Sequence, residues 1–273
     1  MQDTIGYSHA ISRLRAFFFD KKGFIEVPSQ ARRSILAACE DPKTLTLYQM
    51  DTAFPLPQTG QMWLEYELLK NPNAKGYFCI STSYRNEPNP IPGRHDKIFP
   101  MFEFESHGDF NELQKLETEL CEHLGFAAPK RVQYEEMSKK YDAPILEPEQ
   151  EEQMARELGP SISLERFPGR TQPFWNMKDS NDGTFAKIDV ILYGQETIGS
   201  AERSCNIDEM RHHFNTVSEG EYSATLFRVF GKERVMAELD EYLSLPMILR
   251  FGGGIGVTRM VRAMREARLI PEG

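Results

Sequence analysis

Arg85 and Glu87 stand two residues apart, so an extended chain would project both from one face. Downstream, Phe99, Met101, Glu103 and Glu105 share one face of a second extended run, while Ile98, Phe102 and Phe104 share the other. Arginine can clamp a phosphate, glutamate can accept from an exocyclic amine, and phenylalanine can stack on a base. Together these groups would suit ATP. The competing reading is a solvated sheet face with surface ion pairs. Near the C-terminal end, Phe251-Gly252-Gly253-Gly254-Ile255-Gly256-Val257-Thr258-Arg259 runs from a glycine-rich strand end into a helix. The glycines permit close backbone approach, the helix N-terminus is electropositive, and Arg259 adds a full charge. A tight turn is the alternative there. Asp189 points away from Ile188, Val190 and Leu192, and Glu196 follows the turn at Gly194. Two convergent carboxylates can hold Mg²⁺ against phosphates, or can form a structural ion network with Arg203.

These residues need elements to position them. Segments 77–84 and 98–105 flank a loop with Pro88, Pro90, Pro92 and Gly93, which predicts a long antiparallel hairpin. Residues 7–22 read as a helix through Ile11, Leu14 and Phe18, with Ser8 as a possible cap and Gly23 after its end. A short strand over 24–27 follows, stopped by Pro28. A second helix is expected over 111–124, with Leu113, Leu116, Leu120 and Leu124 as its stripe, a capping box at Asp109 and Glu112, and Gly125 at its end. Residues 187–193 alternate as a strand, and a last helix opens near Gly256 with Val257, Met260, Val261 and Met264 buried. Segment 141–173 is rich in Pro, Glu and Gly and reads as an insertion or mobile connection. Hairpin-paired strands flanked by helices predict an α+β fold with a mainly antiparallel sheet.

The chain has 273 residues, 40% hydrophobic and 27% charged, which is ordinary for a folded protein of one or two domains. The N-terminus lacks a basic region before an apolar stretch, and no uncharged apolar run approaches membrane-spanning length. A cytoplasmic protein with no membrane partner is the expectation. The four cysteines form no CxxC pair, so neither a disulfide framework nor a zinc site is indicated. A net charge of -9 argues against generic nucleic-acid binding, which runs on phosphate neutralisation.

Tyr84-Arg85-Asn86-Glu87, a loop, Arg94-His95, then Phe99 and Glu103 resembles motif 2 of the class II aminoacyl-tRNA synthetases. The glycine-rich run through Arg259 resembles their motif 3, and residues 11–28 are similar to motif 1. The resemblance implies that Arg85 holds the α-phosphate, Glu87 the adenine amine, Phe99 the adenine face and Arg259 the γ-phosphate. Arg94 or His95 would touch the terminal phosphates. It also implies ATP and Mg²⁺ as cofactors, with Asp189 and Glu196 as the metal ligands.

Leu56-Pro57-Gln58-Thr59-Gly60-Gln61-Met62-Trp63-Leu64-Glu65 is similar to the substrate loop of the aspartyl and asparaginyl branch, and its Thr59-Gly60-Gln61 looks more like the asparaginyl form. Where aspartyl enzymes carry a lysine, this chain has Leu64. Cys39-Glu40 resembles the site whose glutamate takes the substrate ammonium. The resemblance thus implies Glu40, Gln58, Gln61, Glu103 and Arg203 around an aspartate or asparagine substrate. The motifs occupy most of residues 1–273, and the expectation is a single catalytic domain without an anticodon-binding domain, a homodimer through motif 1. Such cores resemble synthetase-derived asparagine synthetases, which pass the activated acyl group to ammonia. The rival expectations are a compact synthetase charging tRNA, and a non-catalytic amino-acid or adenylate sensor.

Overall fold

The computed structural model describes residues 3–29, 33–36, 44–90 and 96–271. Helix α1 (Thr4–Arg15) is capped by Asp3, whose carboxylate accepts from the Gly6 N–H at 2.8 Å, rather than by Ser8. It continues into a π-turn at Ala16–Lys21. The wider turn takes up one extra residue, so the consecutive Phe17 and Phe18 both point inward.

Eight strands form one sheet in the order β1-β4-β5-β10-β9-β8-β7-β6. They are β1 (Ile25–Glu26), β4 (Gly76–Tyr84), β5 (Ile98–His107), β6 (Lys130–Gln133), β7 (Ser161–Pro168), β8 (Thr184–Leu192), β9 (Gln195–Glu202) and β10 (Arg250–Gly256). Only the two edge pairs, β1 with β4 and β6 with β7, are parallel. Two further strands, β2 (Thr46–Gln49) and β3 (Ala53–Leu56), form a separate hairpin. The expected mainly antiparallel α+β fold is the one observed. The 141–173 segment carries helix α5 (Pro148–Leu158) and β7, which is hydrogen-bonded inside the sheet. Pro148 opens α5, and Gly159 and Pro160 separate it from β7.

The two faces of β5 divide the molecule. Phe102 and Phe104 are fully buried and meet Phe18, whose ring stacks on Phe104 at 5.0 Å. Helices α1, α3 (Phe110–Leu124) and α9 (Val257–Glu266) cover this side through Leu113, Leu116, Leu120, Met260 and Met264. Each such side chain contributes about 1.5–3 kcal/mol by leaving water. Helix α3 has the expected Asp109/Glu112 capping box, and Gly125 (φ 94°) ends it in the left-handed conformation that glycine adopts without strain.

On the other face pack α2 (Gln61–Lys70) and the helices α6 (Ile207–Thr216), α7 (Glu221–Phe230) and α8 (Lys232–Leu243), around Trp175, Tyr222 and Tyr242. Helix α4 (Tyr134–Lys140) and α5 close the far end of the sheet. No helix among the described residues is long and apolar enough to cross a membrane.

Candidate active site

The strand period decides what faces the cavity. The register pairs Gly254 with Glu103 and Gly252 with Glu105 across β5 and β10. A β-carbon on Gly252 would lie 1.6 Å from Glu105 Oε2, so only glycine lets the carboxylate lie across the neighbouring strand. The result is a cavity of about 360 Å³ on the polar face of the sheet. Eight of the expected residues line it together: Gln61, Arg85, Glu87, Phe99, Asp189, Glu196, Arg203 and Arg259.

At one end the groups are cations and carboxylates. The Arg85 guanidinium lies 5.6 Å from the centroid of the Phe99 ring, which is half-buried against the cavity and no part of the apolar core. Arg259 donates to the main-chain oxygen of Glu196 at 2.9 Å and approaches its carboxylate at 3.4 Å. Lys187 sits 3.2 Å from Asp189. Burial disfavours ionisation of Glu196, but Arg259, Lys187 and Arg85 outweigh it and hold the carboxyl below its usual range.

Gly199 marks where the two carboxylates converge. A β-carbon there would lie 3.1 Å from Glu196 Oε1 and 3.6 Å from Asp189 Oδ1. Two hard oxygen donors closing on one point fit a divalent cation such as Mg²⁺.

At the other end Arg203 is almost completely enclosed. It approaches Glu105 at 3.2 and 3.3 Å, donates to Gln61 Oε1 at 2.9 Å and lies 3.6 Å from Glu65. Glu65 in turn accepts from Arg250 at 3.0 Å, from the Tyr242 hydroxyl at 2.7 Å and from the Asn176 amide at 2.7 Å. The Gln61 amide therefore faces the cavity already oriented by Arg203.

Two expected residues lie beneath the site. Glu103 is fully buried and does not line the cavity. It accepts from the hydroxyls of Thr59 and Ser81 and from the Gly60 N–H at 2.8 Å, and so holds the loop that presents Gln61. Gln58 is also buried, donating to Thr44 at 2.8 Å. Glu40, Arg94 and His95 lie outside the described residues. Sequence reasoning assigned no role to Lys187, Arg250 or Arg262. Lys187 carried a usable signal, because a residue two before Asp189 in a strand shares its face. Arg250 carried none: its partner Glu65 is 185 residues away in the chain.

The sequence from residue 1 to 272 matches the family model described as tRNA synthetases class II (D, K and N). Among solved structures, asparaginyl-tRNA synthetase from Pyrococcus horikoshii complexed with asparaginyl-adenylate superposes with a TM-score of 0.77 at 19% identity, over 96% of this chain and 64% of that one. Asparaginyl-tRNA synthetase from Entamoeba histolytica gives 0.71 at 20% identity, over 95% and 63%. Aspartyl-tRNA synthetase from the same organism gives 0.67 at 17%, over 98% and 57%. The chain spans less than two thirds of the length of these structures. No curated protein matches it in sequence. Motif order, strand register and the match along nearly the whole chain agree, and the protein belongs to the class II tRNA synthetase family of the D, K and N group.

Proposed function

We propose that this chain activates an amino acid of the aspartate or asparagine type as an acyl-adenylate, using ATP and Mg²⁺. The observation that carries the reading is the convergence of Asp189 and Glu196 over Gly199, between the Arg85 and Arg259 cations and the enclosed Arg203. A substrate carboxylate oxygen would attack the α-phosphate, and the bond to pyrophosphate would break. Arg85 is placed to hold the α-phosphate, Phe99 and Glu87 the adenine, and Arg259 the outer phosphates. Asp189 and Glu196 would hold Mg²⁺, which supplies positive charge to the phosphates when bound. Gln61 and Arg203 would meet the amino acid, the guanidinium in planar two-oxygen geometry. No side chain need act as a nucleophile; positioning and charge stabilisation suffice. The exposed Phe19 and Ile25 within the motif 1-like segment support a homodimer through that surface.

The acceptor in this reading is a small amine, most simply ammonia. The acidic balance of the chain, -9, supports it over tRNA. The amine nitrogen would bond to the acyl carbon as the bond to AMP breaks. With ammonia the activated group is the side-chain carboxylate of aspartate, and Arg203 would grip the α-carboxylate. The decisive measurement is amino-acid-dependent ATP–pyrophosphate exchange over a panel of acids, followed by product analysis with ammonium or total tRNA. Exchange with aspartate or asparagine, and an amide from ammonium, are expected. Exchange with no acid would return the protein to a sensor role, and charging of tRNA without amide formation would overturn the ammonia acceptor.

A further inference from the structure

Lys187 and Asp189 leave β8 on the same face, with the Lys187 ammonium 3.2 Å from Asp189 Oδ2 and 4.2 Å from the centroid of the Phe167 ring. The lysine is 17% exposed. It stands, with Asp189 and Glu196, on the wall shared by the main cavity and a neighbouring one of about 290 Å³. The second carboxylate, Glu196, faces Arg259 at 3.4 Å. Each acid over Gly199 therefore already has a cation from this chain, and the four groups sum to zero charge. A lone divalent ion arriving there meets no net negative charge to offset its dehydration, so it gains little. Triphosphate oxygens change the balance, since they can take over Lys187 and Arg259 and leave both carboxylates to the metal.

We propose that Lys187 is an internal counter-ion that holds Asp189 in the free protein and yields it to a divalent cation only when nucleotide phosphates arrive. Metal and ATP then enter together. Lys187 acts here through Asp189, as a positioning residue. The Phe167 ring faces the ammonium itself at 4.2 Å and offers it a second contact when the carboxylate is given up. The inference rests on the ATP and Mg²⁺ reading above.

The test is Mn²⁺ binding, followed by the electron paramagnetic resonance of the free ion, on the full chain with and without α,β-methylene ATP. The wild-type chain should bind Mn²⁺ weakly alone and at least about tenfold more tightly with the analogue. Lys187→Met should tighten binding of Mn²⁺ alone by about five- to tenfold and shrink the nucleotide-dependent gain by the same factor. Lys187→Arg, which keeps the charge, should behave as wild type; a role in packing alone would not separate the two variants. If the Met variant does not fold, Lys187→Gln carries the same expectation. Free Mn²⁺ affinity within about twofold of wild type in the neutral variant would overturn the inference while leaving adenylate formation standing. Absence of Mn²⁺ binding in every form, with or without the analogue, would remove both this inference and the metal reading.

Discussion

At the Arg203 end of the cavity, Arg203, Arg250, Glu65 and Glu105 expose 2% or less of their side chains, whereas at the Asp189 end Arg259 and Glu196 keep 30% and 38% exposed and Lys187 and Asp189 keep 17% and 12%. Both ends pair opposite charges, but burial changes what a pair can do. Enclosed ions have no water to fall back on, so exchanging partners is costly and the geometry is preformed. Half-open ions exchange partners at little cost, because water and salt already screen them. A rigid end that orients Gln61 and a labile end that accepts phosphates and metal is the division of labour the site requires.

The largest effect should come from breaking the enclosed network. Arg250→Met leaves Glu65 buried without its main cation, and we expect a loss of about 3–5 kcal/mol of stability by chemical denaturation. Arg259→Met at the open end should cost less than about 1 kcal/mol in the same assay. Similar losses for both variants would erase the contrast between the two ends.

Activity should rank them the other way. Arg259→Ala and Arg85→Ala should each lower ATP–pyrophosphate exchange on the order of 10²-fold or more, with circular dichroism unchanged, because a charge-assisted phosphate contact is lost. Near-normal exchange in either variant would detach that arginine from the phosphates.

A smaller effect sharpens the role of burial itself. Glu117 on α3 is enclosed behind the sheet, accepting from the Ser200 hydroxyl at 2.5 Å, and burial pushes its carboxyl up to about 8. A carboxyl raised in the folded state keeps a proton that the unfolded chain has already released. Its stabilising contribution is therefore complete at low pH and is lost as pH rises through about 8. Between pH 6 and 8.5 the wild-type chain should lose roughly 2–3 kcal/mol that Glu117→Gln does not. Melting temperatures of both proteins at the two pH values would show it. Parallel pH profiles would mean that Glu117 is ionised despite its surroundings.

The hairpin, the α3 caps and the α9 stripe were legible in the sequence because each is encoded within a few residues. Alternation placed Phe99 on the cavity side of β5. Arg85 and Glu87 instead follow the end of β4, and they reach the same cavity because Arg85 still pairs across the hairpin, its N–H donating to the Lys97 oxygen at 2.8 Å. Helices α6–α8 and strands β7 and β9 were not read as such, and of β10 only its glycine-rich end was. Part of β10 is glycine, which marks close approach more than it marks a strand.

Tertiary structure alone separated Glu103 from Glu105. Both alternate identically along β5, yet the loop at Thr59 and Gly60 closes over one, and Gly252 opens space for the other to reach Arg203. The same holds for Arg250 with Glu65 and for the convergence of Asp189 and Glu196 over Gly199. Local pattern determines which way a side chain points. Which distant side chain it meets depends on strand register and helix packing, and those are settled by the burial of the whole core at once.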